Sequence, residues 1–287
     1  MTDRGQFWRG LLILGRVSNL PTVWSNCVAG WWLGGGGSGW TLFELCVGAT
    51  LIYVGGMFLN DAIDADFDRQ HRHERPIPSG HVSLATAWWF ALVLLGAGSL
   101  LLVPLGWTTG CLTLLLLVTV VVYDVVHKRV AFAPVIMAGC RFWLFLVAAS
   151  AGADGVTGYS VWCALVLAAY VVGLSYIARR ETLNSAIALW PVLALAAPVI
   201  LAQLINNEEA RTRGIVLSAL LVGWLLSCLQ HTFWTGKRNL GRTVSGLLAG
   251  IVLVDLLALG WTSPWVGLVV LGFFPLALLF QRFVPAT

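Results

Sequence analysis

The sequence contains few charged residues. Only 10% of its 287 residues are Asp, Glu, Lys or Arg, whereas soluble domains carry about 25%. Apolar residues make up 59% of the chain. A water-soluble fold of this length has too little interior to hide that much apolar surface, so lipid must cover it. The composition excludes an ordinary soluble domain, and we expect one polytopic membrane domain over residues 1–287.

Several other sequence signals are also absent. No basic stripe lies outside the loops that flank apolar segments, so we do not expect nucleic acid as a partner. The six cysteines show no CxxC spacing, which argues against a zinc site or a disulfide framework. No small-residue cleavage site follows the first apolar segment, so we expect that segment to remain as an anchor.

Apolar segments of about 20 residues, the length that crosses a bilayer at 1.5 Å per residue, recur along the chain. Backbone polar groups must be satisfied internally in lipid, and the segments show no strand alternation, so helices are expected. We predict an all-α integral membrane bundle of nine or ten transmembrane helices around a central chamber open to lipid. The predicted spans lie near residues 19–33, 42–60, 84–103, 107–126, 132–151, 160–178, 187–205, 214–232, 243–259 and 265–282.

The positive charges are distributed unevenly between the two ends of these spans. Of the 17 Lys and Arg residues, 14 fall at the end that carries the N-terminus, two (Arg211 and Arg213) fall at the opposite end, and Arg141 lies inside a span. Cytoplasmic loops carry such an excess. We therefore expect the N-terminus and the polar loops after the second and fourth spans to be cytoplasmic.

A polar cluster, NDAIDADFDRQHRHERPIPSG, follows the second span at residues 60–80. Asn60, Asp64 and Asp68 are four residues apart, so a helix places them on one face. Amide and carboxylate oxygens suit Mg²⁺, and a shared cation relieves the repulsion between neighbouring carboxylates. Arg72 and Arg75 then supply donors for a phosphate. The spacing predicts a magnesium–diphosphate site rather than an acidic loop that only solvates the helix end.

This segment resembles the UbiA superfamily of intramembrane prenyltransferases. The family motif Asn-Asp-x-x-Asp-x-x-x-Asp stands here at residues 60–68, and its Arg-Pro-x-x-Ser-Gly stands at residues 75–80. The stretch Ser-Asn-Leu-Pro-Thr at residues 18–22 also looks like the opening of the family.

The resemblance implies a Mg²⁺-dependent transferase in the lipid bilayer that moves an isoprenoid group from a prenyl diphosphate to an unidentified acceptor. Asn60, Asp64 and Asp68 would hold the metal, with Asp64 and Asp68 acting in catalysis. Arg72 and Arg75 would contact the diphosphate. In the second cytoplasmic loop, Tyr123 would bind substrate and Lys128 would bind the diphosphate and assist catalysis.

The resemblance weakens near residues 175–185, where the family carries a second aspartate-rich motif and this chain has no Asp. Glu181 and Asn184 are three residues apart and offer at most a thin second metal site. Asp61 and Glu181 are the candidate catalytic bases for a hydroxyl acceptor, and Arg180 would replace the charge of a second metal at the diphosphate. The altered motif is similar to that of an EboC-like branch of the superfamily.

Two charged residues, Arg141 and Asp255, lie deep inside predicted spans, where a charge costs at least about 2.5–3.5 kcal/mol. Either they line the acceptor pocket, with Arg141 binding substrate, or they form one buried pair between helices. The alternatives for the whole chain are a cyclase or lyase that ionises the same diphosphate without an acceptor, and a transporter or binding protein without turnover.

Overall fold

The computed structural model describes residues 3–183, 190–205, 208–233, 239–260 and 263–286. Within these ranges the chain is helical and contains no strand, which confirms the predicted all-α class. Two short 3₁₀ segments, Val17–Asn19 and Val103–Leu105, interrupt the helices. The helices are α1 (Asp3–Leu14), α2 (Leu20–Leu33), α3 (Gly39–Ile63), α4 (Ala65–His71), α5 (Leu84–Leu102), α6 (Trp107–Val126), α7 (Ala133–Ser150), α8 (Gly158–Leu183), α9 (Trp190–Leu195), α10 (Ala197–Ile205), α11 (Glu208–Phe233), α12 (Leu240–Leu259) and α13 (Pro264–Phe283).

Eight segments of the described chain are long and apolar enough to cross a membrane. The predicted count of nine or ten is not confirmed, because two of the predicted spans take a different form. The first corresponds to α2, which has only 14 residues. The described part of the span near 187–205 is divided into α9 and α10, with Pro191 and Pro198 early in these two helices. Proline favours a helix start and disrupts a helix interior, which accounts for the division.

Helix α2 lies in the middle of the bundle, against α3, α7, α12 and α13. Eleven of its 14 residues are buried, so it is enclosed by protein rather than by lipid. Gly30 allows α7 to approach closely, since a Cβ there would lie 2.5 Å from the carbonyl oxygen of Phe145. This enclosure explains how polar α2 side chains come to face other helices at the depth of the membrane.

The α3–α5 pair packs through small residues. A Cβ added to Gly48 would lie 2.5 Å from Leu102, and one added to Gly98 would lie 2.7 Å from Ile52. Small residues let membrane helices approach closely, which strengthens van der Waals packing where no hydrophobic driving force exists between helices. These contacts hold the N-terminal half of α3 against α5, and the polar cluster begins at the other end of α3.

The chain leaves α3 with little change in helical geometry. The N–H of Asp64 donates to Asn60 O at 3.0 Å, and the N–H of Asp68 donates to Asp64 O at 2.9 Å, so the helical hydrogen bonds continue from α3 into α4. A turn then buries Pro76 and Ile77, and Gly80 adopts a φ of 79°. Helix α4 has already ended at His71. The rigid prolines and the left-handed glycine shape the turn that returns the chain to α5.

Candidate active site at the loops after α3 and α6

The side chains of Asn60, Asp64 and Asp68 stand on successive helical turns, as their spacing predicts. All three residues are buried, with exposed fractions of 6%, 6% and 2%. Carboxylates buried at the end of a membrane helix need compensating charge or hydrogen bonds. The protein provides both, from α6 and the loop that follows it and from the turn after α4.

Asp64 is held by two residues of the loop after α6. The ammonium of Lys128 lies 2.7 Å from Asp64 Oδ1 and also over the ring of Phe67, 3.8 Å from its centroid. The Nε2 atom of His127 lies 3.2 Å from Asp64 Oδ2. Burial raises the pKa of Asp64, but the hydrogen bonds from His127 and Lys128 outweigh it and leave the pKa below its usual value. For His127, burial alone lowers the pKa, and Asp64 reverses this and raises it.

Asp68 and Asp61 share one arginine. Arg75 Nη1 donates to Asp68 Oδ2 at 2.9 Å and to Asp61 Oδ1 at 3.0 Å. A second arginine, Arg16, lies 3.7 Å from Asp61 Oδ1. The neighbouring Asp66 lies apart from this network, since it is exposed and pairs with Arg69. The α3–α4 carboxylates are therefore balanced by cations of the protein itself.

Asn60 connects α3 to α6. Its Nδ2 donates to Asp124 Oδ1 at 3.0 Å, and Asp124 is 2% exposed. This bond fixes the amide so that its Oδ1 is the atom left to accept a ligand. One oxygen of Asp68, Oδ1, and one of Asp124, Oδ2, are buried without a hydrogen-bond partner. Buried oxygens of this kind are unusual in native proteins and indicate an unmet cation or donor.

The residues present fit a Mg²⁺ site in which the substrate supplies some of the ligands. Among the described residues, no three His, Cys, Asp or Glu side chains converge as a metal site, so that part of the chain supplies no complete cage. Mg²⁺ usually takes one or two carboxylates together with waters and substrate phosphates. The available oxygens, Asn60 Oδ1 and Asp68 Oδ1, match that pattern. Asp64 would join them once Lys128 moves from its carboxylate to a bound anion.

Two predicted substrate-binding residues border this cluster. The guanidinium of Arg72, just after α4, makes no hydrogen bond or ion pair within the described part of the chain. Tyr123 stacks on His127, with ring centroids 5.2 Å apart. Both side chains are half-buried. Among the described residues, the Arg72 guanidinium therefore keeps its donors for a bound anion.

The second predicted motif is only partly described. Helix α8 continues to Leu183, but the side chains of Arg180 and Glu181 and the whole of Asn184 lie outside the described residues. Arg179, just before them, donates to Val130 O at 2.8 Å and to Ala131 O at 3.0 Å. It therefore ties the loop that carries Lys128 to the end of α8.

Arg141 and Asp255 do not form a direct ion pair. Arg141 donates to Asn26 Oδ1 at 2.8 Å, and Asn26 Nδ2 donates to Asp255 Oδ2 at 2.7 Å. Ser25 also donates to Asp255 Oδ2, at 2.6 Å. The predicted interhelical pair is thus a bridge across α7, α2 and α12, with Asn26 of the enclosed α2 at its centre.

Sequence reasoning did not identify Arg16, Asn26 or His127 as site residues. Arg16 entered only the count of positive charges that predicts the orientation in the membrane. In the structure it lies beside Asp61. It also adopts a left-handed φ of 41°, which is uncommon for a residue other than glycine. Its position two residues before the 18–22 stretch was the available signal. No local pattern pointed to Asn26, since its partners lie 115 and 229 residues away.

Comparison with proteins of known family identifies relatives over most of the chain. The model of the UbiA prenyltransferase family matches residues 18–286. A digeranylgeranylglyceryl phosphate synthase from Methanoregula boonei is 28% identical over 271 residues, which cover 89% of this chain and 88% of that protein. A mitochondrial 4-hydroxybenzoate polyprenyltransferase from Aedes aegypti is 31% identical over 147 residues, which cover 50% of this chain and 32% of that protein.

Several of these matches are short. In the Aedes protein and in a Sulfolobus acidocaldarius digeranylgeranylglyceryl phosphate synthase, the matched segment spans only 32% and 21% of the relative's length. These relatives therefore do not by themselves assign an activity to the whole chain.

Solved structures share the fold. A UbiA homolog from Aeropyrum pernix K1 has a TM-score of 0.66 at 15% identity, covering 84% of this chain and 96% of that one. A UbiA homolog from Archaeoglobus fulgidus, solved with GPP and Mg²⁺, has a TM-score of 0.59 at 16% identity, covering 96% and 97%. These structures confirm a polytopic helical membrane fold. Together with the family match over residues 18–286, they establish that the chain belongs to the UbiA prenyltransferase family.

Proposed function

We propose that this protein is a Mg²⁺-dependent intramembrane prenyltransferase that uses a prenyl diphosphate as donor. The observation that carries the proposal is the buried row of Asn60, Asp64 and Asp68. Asp68 Oδ1 is buried without a hydrogen-bond partner, and the ammonium paired with Asp64 belongs to the partly exposed Lys128. The GPP and Mg²⁺ bound to the Archaeoglobus homolog support the same assignment.

The donor diphosphate would lie between the α3–α4 cluster and the loop after α6. Arg72, whose guanidinium has no partner among the described residues, and Lys128, which would leave Asp64, would bind its oxygens. Arg75 would remain with Asp61 and Asp68 and orient the Asp68 carboxylate, and its remaining donors would face the anion. Bound Mg²⁺ would neutralise the leaving diphosphate.

The reaction would break the bond between the allylic carbon and the diphosphate oxygen, and the electron pair would leave with the diphosphate. The positive charges of Lys128 and Arg72 stabilise that leaving group. The allylic carbon then bonds to a nucleophilic atom of the acceptor, which loses a proton. Asp61 is poorly placed as the base, because its Oδ1 is held by Arg75, and Glu181 remains the proposed base for a hydroxyl acceptor.

The surroundings of this site follow from the same proposal. One polytopic domain would enclose a chamber that opens to lipid and receives the isoprenoid tail. The diphosphate site and the N-terminus would face the cytoplasm, as the 14 positive charges at that end favour. The acceptor is unidentified. The names of the relatives associate the family with two anionic compounds, 4-hydroxybenzoate and a lipid phosphate.

A turnover assay with matched variants tests the proposal. Detergent-purified protein would be incubated with labelled geranylgeranyl or farnesyl diphosphate, Mg²⁺ and an extract of membrane lipids and small molecules. We expect release of diphosphate and a labelled product, lost in Asp64→Ala and Asp68→Ala. Asp66→Ala is the control, because Asp66 is exposed and pairs only with Arg69.

The other outcomes distinguish the alternative functions. Diphosphate release without any acceptor would indicate a cyclase or lyase and overturn the transferase proposal. Donor binding that needs Asp64 but leads to no release would indicate a binding or transport protein.

A further inference from the structure

Asp124 is a buried carboxylate to which the proposed reaction assigns no role. It lies in the last turn of α6, within the mostly apolar stretch VTVVVYDVV at residues 118–126, and it is 2% exposed. Its Oδ1 accepts from Asn60 Nδ2 at 3.0 Å, but its Oδ2 is buried and has no partner among the described residues. Taking a carboxylate out of water is costly unless both oxygens are compensated. A bond that served only to join two helices would not need a charged group, so this carboxylate needs another explanation.

The packing of α6 on α3 determines where the Asp124 carboxylate lies. A Cβ added to Gly56 of α3 would lie 3.0 Å from Val120 Cγ1 of α6, so the two helices approach closely at this level. Asn60 is four residues after Gly56, and Asp124 is four residues after Val120. Residues four apart lie on the same helix face. The two polar side chains therefore meet one turn beyond the close contact, and the glycine allows them to reach each other.

The end of α6 also holds a second residue of the predicted metal row. The backbone O of Asp124 lies 3.0 Å from His127 Nδ1, and His127 Nε2 lies 3.2 Å from Asp64 Oδ2. Asp124 thus contacts Asn60 through its side chain, and through its carbonyl it contacts the imidazole that meets Asp64. Residues that orient metal ligands in this way typically change metal affinity about 10- to 100-fold when they are replaced.

The carboxylate of Asp124 determines which atom of the Asn60 amide is left for a ligand. A carboxylate only accepts hydrogen bonds, so the amide can meet it only through its NH₂ group. The amide oxygen then remains for a cation, and Mg²⁺ binds oxygen ligands. The reverse orientation of the amide would turn its N–H donors toward the cation and remove one ligand from the site.

We infer that Asp124 is a positioning residue for Mg²⁺, whose carboxylate holds Asn60 with the amide oxygen left for the metal. The inference rests on the proposed function, in which Asn60 is a metal ligand. A contact that only packs two helices, or a general negative field, would act in the same way whichever side chain stood at position 60. A positioning residue acts only through the Asn60 amide, and this difference can be measured.

A double-mutant cycle on metal binding tests this dependence. Detergent-purified protein would be mixed with geranylgeranyl thiodiphosphate, an unreactive donor analogue with sulfur in the bridging position. Mn²⁺ would be the probe, since it also prefers oxygen ligands. The electron paramagnetic resonance signal of free Mn²⁺ gives the bound fraction without turnover. A mixture without protein corrects for the Mn²⁺ that the analogue holds by itself.

Asp124→Asn should raise the Kd for Mn²⁺ about tenfold or more, because the new amide can also donate and Asn60 loses its fixed orientation. In a protein that carries Asn60→Asp, the same substitution should change the Kd less than about twofold. A carboxylate at position 60 presents an oxygen on either side, so it needs no orienting partner. The double variant also keeps the hydrogen bond, with the amide at position 124 as the donor.

Two controls keep the result interpretable. Asp66→Asn makes the same chemical change at an exposed carboxylate that pairs with Arg69, and it should bind Mn²⁺ as the unaltered protein does. Thermal unfolding of each variant shows whether a loss of binding follows a loss of structure. If Asp124→Asn does not fold, the double variant, with its carboxylate count and hydrogen bond preserved, should still bind Mn²⁺ at least as tightly as the unaltered protein, and a tenfold loss there would contradict the inference.

The inference is overturned if Asp124→Asn binds Mn²⁺ as tightly as the unaltered protein. It is also overturned if Asp124→Asn costs the same factor with asparagine and with aspartate at position 60, which is the result expected of helix packing or of a general negative field. If the unaltered protein binds no Mn²⁺ beyond the mixture without protein, the proposed metal-dependent function fails and the inference falls with it. If binding is weakened by Asp68→Asn but not by Asp124→Asn, only the inference fails.

Discussion

Lys128 Nζ lies 2.7 Å from Asp64 Oδ1, and this ion pair joins the loop after α6 to the junction between α3 and α4. The contact balances the charge of a buried carboxylate. It also holds the ammonium close to the place where the diphosphate is proposed to bind. The side chain of Lys128 is 33% exposed although its partner is buried, so an anion from outside can reach the ammonium.

Lys128→Gln should therefore impair the reaction without unfolding the protein. Removing one preorganised charge from a leaving group costs on the order of 10²-fold in rate. We expect kcat/KM for the prenyl diphosphate to fall by about that factor. Arg129→Gln changes the adjacent, exposed cation and should change this ratio less than threefold. Equal losses in both variants would mean that only the general positive charge of the loop matters.

Asn26→Ala should destabilise the bundle. The substitution leaves Arg141 and Asp255 without their shared partner, and a buried polar group that loses its partner costs about 1–3 kcal/mol. The free energy of unfolding in detergent measures this effect. Ser99→Ala is a suitable control, because the Ser99 hydroxyl donates only to Leu95 O within its own helix. If both variants unfold at the same midpoint, the bridge contributes nothing to stability.

The left-handed backbone at Arg16 allows its side-chain and backbone contributions to be separated. Arg16→Ala and Arg16→Gly both remove the cation beside Asp61, so both should lower turnover similarly. Glycine adopts positive φ without strain, whereas alanine pays about 1–2 kcal/mol there. We expect the glycine variant to be the more stable of the two in thermal unfolding. A more stable alanine variant would contradict the left-handed conformation.

The α3–α5 contact predicts different outcomes for two neighbouring glycines. A Cβ at Gly98 would lie 2.7 Å from Ile52 and 2.8 Å from Gly48 O, whereas a Cβ at Gly96 would meet nothing within 4 Å. Gly98→Ala should therefore destabilise the protein by about 1–3 kcal/mol, as overpacking does. Gly96→Ala should leave the unfolding midpoint unchanged or raise it slightly. Equal shifts would show that α5 does not pack on α3 through this surface.

The helical class and the row of Asn60, Asp64 and Asp68 were predictable from sequence because both depend on local periodicity. The long apolar segments indicated membrane-spanning helices. The four-residue spacing placed the side chains of Asn60, Asp64 and Asp68 on one helix face. The partners of these residues were not predictable. Asn60 meets Asp124, which is 64 residues away, and Asp64 meets Lys128 only because α6 packs on α3.

The span count shows the same limit. From segment length and hydropathy, α2 and the α9–α10 segment were predicted to be ordinary membrane spans. The bundle instead encloses α2 on several sides, and prolines divide the second segment. Enclosure by other helices is a tertiary property, so hydropathy along one segment does not reveal it.

The most direct test of the magnesium–diphosphate assignment is a Mg²⁺ titration of diphosphate release from geranylgeranyl diphosphate. It would compare the unaltered protein with Asp68→Asn and Asp66→Asn. The account predicts saturable dependence on Mg²⁺ in the unaltered protein and in Asp66→Asn. Asp68→Asn should need at least about tenfold more Mg²⁺ or lose release altogether, since the metal would lose a charged ligand. Release that ignores Mg²⁺, or an unchanged titration for Asp68→Asn, would contradict the assignment.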